Sequence, residues 1–166
     1  TLRALNIIGK SSSKAASLEK IIPLTPATSV DSAGESYDLV GFHGTSKANA
    51  QNLLKNGLEP NRTNKGFFGD GFYTTPDYYK ARRYADSKST TMFGKTPDGT
   101  LAVYVKKPSE KIQGQHYTFH PGEKGIVDEL RLLPPTYNDV KFLQFKSTGY
   151  TPEISINAIF NIRVSG

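Results

Sequence analysis

The stretch Tyr37-Asp38-Leu39-Val40-Gly41-Phe42-His43-Gly44-Thr45-Ser46 decides how the rest of the chain is read. Tyr37–His43 is aromatic and apolar enough for a strand, and Gly44 supplies the turn that ends it. Thr45 or Ser46 can then cap a helix with apolar positions Ala50, Leu53 and Leu54. Asn56-Gly57 stops that helix, glycine taking the left-handed conformation that closes a C-terminus. A strand that feeds a short helix this early implies a mixed fold.

Working outward, Leu58–Asp70 reads as a polar, glycine-bearing loop and Gly71–Thr75 as a short strand. Thr75-Pro76-Asp77 is a helix start, with a cap, a proline in the first turn and an acid at the positive end of the dipole. That helix places Ala81, Tyr84 and Ala85 on one face. Ser87–Thr100 is a second loop, Leu101–Val105 a buried strand, Val127–Leu133 a short helix stopped by Pro134-Pro135, and Val140–Phe145 another strand. In the last segment Ile154, Ile156, Ala158, Phe160, Ile162 and Val164 alternate, the period of a strand with one buried face. Glu153 then opens that strand on its polar face.

Residues 1–36 contain no aromatic side chain and are rich in Ser, Ala, Thr and Lys. Ser11-Ser12-Ser13 and Pro26–Gly34 read as linker, with a short helix allowed over Ser13–Ile21. The division expected is therefore a linker-like or extended segment, 1–36, and one globular domain, 37–166. With 166 residues the chain suits a single domain. The pattern predicts α+β: two packed, mainly antiparallel sheets with short flanking helices.

Composition narrows the chemistry. There is no Cys, which excludes disulfides, a thiol nucleophile and Cys-ligated zinc. His116 and His120 are four apart but lack further clustered ligands, so no metal site is expected. The formal charge of +6 comes from scattered Lys and Arg, the densest spots being Lys80–Arg83 and Lys106-Lys107. A solvated surface explains that pattern better than dedicated nucleic-acid binding. No apolar run approaches the roughly 20 residues of a membrane span. No signal-peptide pattern opens the chain, and its first residue is Thr, so it is expected to be excised from something longer.

Four residues carry the chemistry. His43 ends a strand before a glycine whose backbone can approach a ligand closely. Tyr73 lies in Gly71-Phe72-Tyr73-Thr74-Thr75, and Tyr84 follows eleven residues later on the next helix. Two roughly parallel tyrosines make a slot for a flat, cationic ring, which gains from both π faces. Glu153 can project a carboxylate into a cleft. Taken singly each is ordinary: a turn histidine, a packed tyrosine, a solvated acid. Their joint order is the signal.

Phe42-His43-Gly44-Thr45, Gly71–Thr75, Tyr84 preceded by Ala81, and Pro152-Glu153-Ile154 together resemble the diphtheria toxin/exotoxin A group of ADP-ribosyltransferases. More distantly the signature is similar to that of poly(ADP-ribose) polymerases. The resemblance covers Tyr37 to the C-terminus and implies the ADP-ribosyltransferase fold with NAD⁺ as co-substrate. It implies that His43, Gly44, Thr45, Tyr73 and Tyr84 hold NAD⁺: His43 at the adenine-side ribose, Gly44 through its backbone at the nicotinamide amide, the tyrosines around the nicotinamide ring. Glu153 would be catalytic, stabilising the oxocarbenium-like ribosyl cation, and Glu129 is the second choice of carboxylate. The first-strand Arg and the acid two residues before the Glu that mark arginine-specific relatives are missing here, Thr151 standing in the latter place. Tyr150, in the loop before Glu153, suits either acceptor recognition or the cover of a turn.

The function expected is a mono-ADP-ribosyltransferase acting on a macromolecular acceptor, a protein in the first instance with nucleic acid open, as the catalytic part of a bacterial toxin or effector. It would be monomeric, and secreted or delivered into a target-cell cytoplasm, or else cytoplasmic. The competing readings are an NAD⁺ glycohydrolase, with water as acceptor, and a non-catalytic NAD-binding or interaction module.

Overall fold

Nine strands in two antiparallel sheets, with three short α-helices, make up the described part of the chain. This computed structural model describes residues 20–59, 64–66, 69–87, 99–123, 128–145 and 151–162. The strands are β1 (Ile22–Thr25), β2 (Thr28–Val30), β3 (Ser36–Gly44), β4 (Asn64–Gly66), β5 (Gly69–Thr74), β6 (Thr100–Lys106), β7 (Tyr117–His120), β8 (Glu129–Leu132) and β9 (Val140–Gln144). The helices are α1 (Lys47–Asn56), α2 (Tyr78–Ser87) and α3 (Ile156–Ile159). One sheet has the order β1-β2-β3-β6-β9, the other β4-β5-β8-β7. The architecture is thus α+β with two mainly antiparallel sheets and a few short helices, as the sequence pattern predicts.

Strand β6 shows why the layers stack as they do. Leu101, Val103 and Val105 belong to the core between the sheets, where they join Phe72, Leu130, Leu132 and Phe142. Ala102 and Tyr104 face the opposite way, into a second cluster with Leu39, Phe42, Tyr78 and Ala81 under α2. A strand covered on both faces must be apolar throughout, which accounts for the unbroken Leu101–Val105 run. Helix α1 starts where expected: Ser46 is its N-cap, accepting the Asn49 N–H at 3.2 Å. Gly57 ends it at φ 75°, its N–H donating to Leu53 O at 2.9 Å. At α2 the cap is Asp77, whose Oδ1 accepts from Tyr79 N and Lys80 N, while Thr75 Oγ1 accepts from Asp77 N. The acid thus closes the helix itself, where Thr75 was expected to.

Several expectations change. Of the linker expected within 1–36, Ser11–Ser13 lies outside the described residues, and Pro26–Gly34 includes β2 and its turns, since β1 and β2 form a hairpin that pairs onto β3. Thr28 and Ser29 sit in β2, paired on both sides, with Ser29 fully buried, and Ala27 O accepts from Leu39 N at 2.8 Å. Of the helix expected over Ser13–Ile21, residues 13–19 lie outside the described residues, and Lys20 and Ile21 are not helical. The loop expected over Leu58–Asp70 contains β4, which folds back on β5. The helix expected over Val127–Leu133 is strand β8, because Leu130 and Leu132 enter the core while Glu129 and Arg131 point away. Finally, the strand expected from Ile154 onward is an extended lead, 151–155, into the single turn α3. Ile156 and Phe160, four apart, fill the core from one helical face, and Ala158 is exposed. No helix among the described residues is long and apolar enough to cross a membrane.

Candidate functional site

A β-bulge aims the histidine. Strict alternation along β3 would place His43 on the face of Tyr37 and Leu39. The β3–β6 register shifts between Leu39 and Gly41. Beyond the shift Phe42 takes up the Leu39 side, against Tyr78 with ring centroids 5.5 Å apart. His43 therefore turns toward the second sheet and lies on Phe72, 4.1 Å between centroids and tilted by 31°. Re-aiming one side chain is a recurrent use of bulges near functional sites. Gly41 is needed at the bulge, since a Cβ there would stand 2.6 Å from Thr74 Oγ1 and 3.0 Å from Thr75 O.

Among the described residues, an antiparallel bridge between Phe42 and Thr75 joins the two sheets. Phe42 N donates to Thr75 O at 2.7 Å, Thr75 N returns a bond to Phe42 O at 3.0 Å, and Thr74 Oγ1 adds a third to Phe42 O at 2.8 Å. Beyond this bridge β3 and β5 share no ladder pairing among the described residues. The His43 ring spans the gap, with Nδ1 2.6 Å from the carbonyl oxygen of Tyr73. A carbonyl only accepts, so Nδ1 carries the proton, and in the neutral ring Nε2 is the acceptor nitrogen.

His43, Thr45 and Tyr73 line one cavity of about 90 Å³ together with Asn49, Asn52, Leu53 and Glu59. The α1 face that sends Asn49 and Asn52 into it is i, i+3 spaced. Asn49 Nδ2 donates to Thr45 Oγ1 at 3.3 Å, and Asn56 Nδ2 donates to Asn52 Oδ1 at 2.5 Å. A small-molecule pocket normally measures about 300–1,000 Å³. This cavity therefore suits one polar portion of a ligand, such as a sugar ring, with the remainder lying along the surface.

The other expected residues are placed as follows. Gly44 is glycine for a packing reason: a Cβ there would overlap the Ala81 carbonyl oxygen and lie 2.8 Å from Ala85 N. That contact presses the end of β3 onto α2. Tyr84 lies on α2, and its side chain is outside the described residues. Tyr150 is also outside them. Glu153 is exposed and does not line the cavity. Pro152 before it is buried, and Ile154 after it packs against both hydrophobic clusters, which seats the 151–155 segment where those clusters adjoin.

The outer face of the second sheet holds residues to which the sequence gave no joint role. Arg131 is the cross-strand partner of both Tyr73 and Thr118, and its Nε donates to Thr118 Oγ1 at 3.0 Å. Thr118 Oγ1 is 3.3 Å from His120 Nε2. Burial, and then the Arg131 charge, hold His120 below the usual histidine range. Glu129 pairs across the strands with His120, and burial pushes its carboxyl up. His120 is the last residue of β7. His116 accepts the Ile112 N–H at 2.9 Å, as a turn histidine does.

Compared with models of known protein families and with curated proteins, the chain matches none.

Proposed function

We propose that this chain is a mono-ADP-ribosyltransferase of the His-Tyr-Glu type that uses NAD⁺ as co-substrate and a macromolecule as acceptor. The observation that carries this reading is the convergence of His43, Thr45 and Tyr73 on one cavity where the two sheets part. His43 stands at the end of β3 with Thr45 just beyond it, and Tyr73 comes from β5 in the other sheet. The ADP-ribosyltransferase fold is part of the same proposal, supported by the two antiparallel sheets and the bridged strands β3 and β5.

In this reading His43 accepts a hydroxyl proton from the adenine-side ribose on Nε2, its tautomer set by the Tyr73 carbonyl. Gly44, held against α2, presents its backbone to the nicotinamide amide. Tyr73 and Tyr84 enclose the cationic nicotinamide ring. The bond between ribose C1′ and the pyridinium nitrogen breaks, and its electron pair leaves with neutral nicotinamide. The acceptor nucleophile then bonds to C1′ and gives up a proton. Glu153 offsets the positive charge that develops on the ribose, a role in which one preorganised carboxylate matters greatly. Its exposure leaves it accessible to an incoming acceptor.

The test uses NAD⁺ labelled in the ADP-ribose half, with and without cell lysate. Label on one or a few lysate components is the expected result. Free ADP-ribose without lysate would make the chain a glycohydrolase, and no turnover would remove the enzymatic reading.

A further inference from the structure

We propose that Glu129 of β8 is the base that takes the proton from the acceptor nucleophile. The inference rests on the proposed function and assigns the step which that reading leaves open, the destination of that proton. Strand β8 lies between β5 and β7, with Tyr73, Arg131 and Thr118 in one cross-strand row and Glu129 and His120 in the next. Leu130 and Leu132 enter the core, so these five side chains share the opposite face of the sheet. Glu129 is diagonal to Tyr73, a separation of about 7–8 Å. Thr74 pairs with Leu130, so Glu129 also stands at the end of β8 nearest the Phe42–Thr75 bridge. With the nicotinamide ring on Tyr73, C1′ lies beside that ring, and a carboxylate in the diagonal position can reach a nucleophile approaching C1′.

The surroundings of Glu129 suit a base better than a structural acid. It is half-buried, and burial alone pushes its carboxyl up, with no hydrogen bond or ion pair among the described residues to hold its charge. Arg131, on the same face, donates to Thr118 Oγ1 at 3.0 Å, and His120, across the strands from Glu129, is 3.3 Å from that same oxygen. A desolvated carboxylate without compensation subtracts from stability, and such groups gather at functional sites. Desolvation also makes it a stronger base than an exposed acid. Glu153, which is exposed, is left to offset the ribosyl charge. As the nucleophile bonds to C1′, its bond to hydrogen breaks, the electron pair stays on the nucleophile and the proton passes to a Glu129 oxygen. The neutral acid then gives that proton to water.

The experiment follows label from NAD⁺ onto cell lysate across the acidic and neutral pH range, with the wild type and with Glu129→Gln, alongside NAD⁺ calorimetry and urea unfolding at neutral pH. A base works above its pKa, so wild-type transfer should fall as pH drops, with a midpoint above the ordinary glutamate range. Glu129→Gln should transfer label roughly 10²-fold more slowly and lose that acidic limb. It should still bind NAD⁺ and unfold at a urea midpoint no lower than that of the wild type, because it removes a desolvated charge. Tyr73, Arg131 and His120, the ionisable neighbours on the same face, are common to both proteins. Near-normal transfer by Glu129→Gln, an unchanged acidic limb, or a lower urea midpoint would overturn the inference while leaving NAD⁺ use intact. A wild type that labels nothing would overturn the proposed function and this inference with it.

Discussion

Replacing Gly44 by alanine tests whether the site is built by packing. The added Cβ would overlap Ala81 O and stand 2.7 Å from Ala81 C and 2.8 Å from Ala85 N. All three are backbone atoms of α2, so no side chain can swing aside. Either the helix retreats or the end of β3 moves. Overpacking against backbone costs about 3 kcal/mol, the upper part of the usual range. For a chain of this size each kcal/mol lowers Tm by roughly 2–4 °C, so Gly44→Ala should melt about 6–12 °C below the wild type. Circular dichroism on heating provides the measurement. Gly34→Ala is the comparison: φ there is 83° and nothing lies within 4 Å, so it isolates the backbone strain of a left-handed alanine. That term is about 1 kcal/mol. Gly44→Ala melting within a degree of the wild type, or no lower than Gly34→Ala, would refute the packing argument. Glycine at 44 would then need another explanation, such as ligand approach.

Other outcomes follow from the same geometry. Asp77→Ala removes the acceptor for Tyr79 N and Lys80 N and should cost about 1 kcal/mol, with Asp77→Asn largely neutral in urea unfolding. The depressed pKa of folded His120 means that the unfolded chain protonates first as pH falls. The stability of the neutral ring is complete above about pH 6.5 and is lost as pH drops through the lower folded pKa. His120→Gln should therefore flatten the fall in urea midpoint between about pH 7.5 and 5 relative to the wild type, with His43 and His116 common to both proteins. Glu153→Gln should lower NAD⁺ turnover by roughly 10²–10³-fold with little change in NAD⁺ affinity. Near-normal turnover would move the role to Glu129, the half-buried acid of β8.

The sequence was most informative where local chemistry decides structure. Ser46 and Gly57 bound α1, and Pro76-Asp77 open α2, because caps and prolines act within a few residues. It misled where two periods coincide. Ile156 and Phe160 are four apart, which satisfies both strand alternation and a helical face; the exposed side chain of Ala158 is what breaks the alternation. Glu129-Leu130-Arg131-Leu132 alternates as a strand does, and it also stands just before Pro134-Pro135, which is a helix stop as well as a strand end. His43 could be singled out from its neighbours, whereas its direction could not. The bulge between Leu39 and Gly41 reverses the parity of β3, and Gly41 there lies against Thr74 and Thr75, far away in sequence. The Asn49, Asn52 and Glu59 wall was missed because polar residues on a short helix and in a loop carry no motif. The signal that was available was the i, i+3 spacing of the two asparagines behind Ser46.

The central claim is that the cavity at the parting of the sheets belongs to an NAD⁺ site. Titrating NAD⁺ into the wild type and into Tyr73→Ala, each checked for folding, tests it most directly. The wild type should show saturable binding, and loss of the Tyr73 ring should weaken it by roughly 5–30-fold, the equivalent of about 1–2 kcal/mol of stacking. A wild type that binds no NAD⁺, or a folded Tyr73→Ala that binds it equally well, would contradict the account.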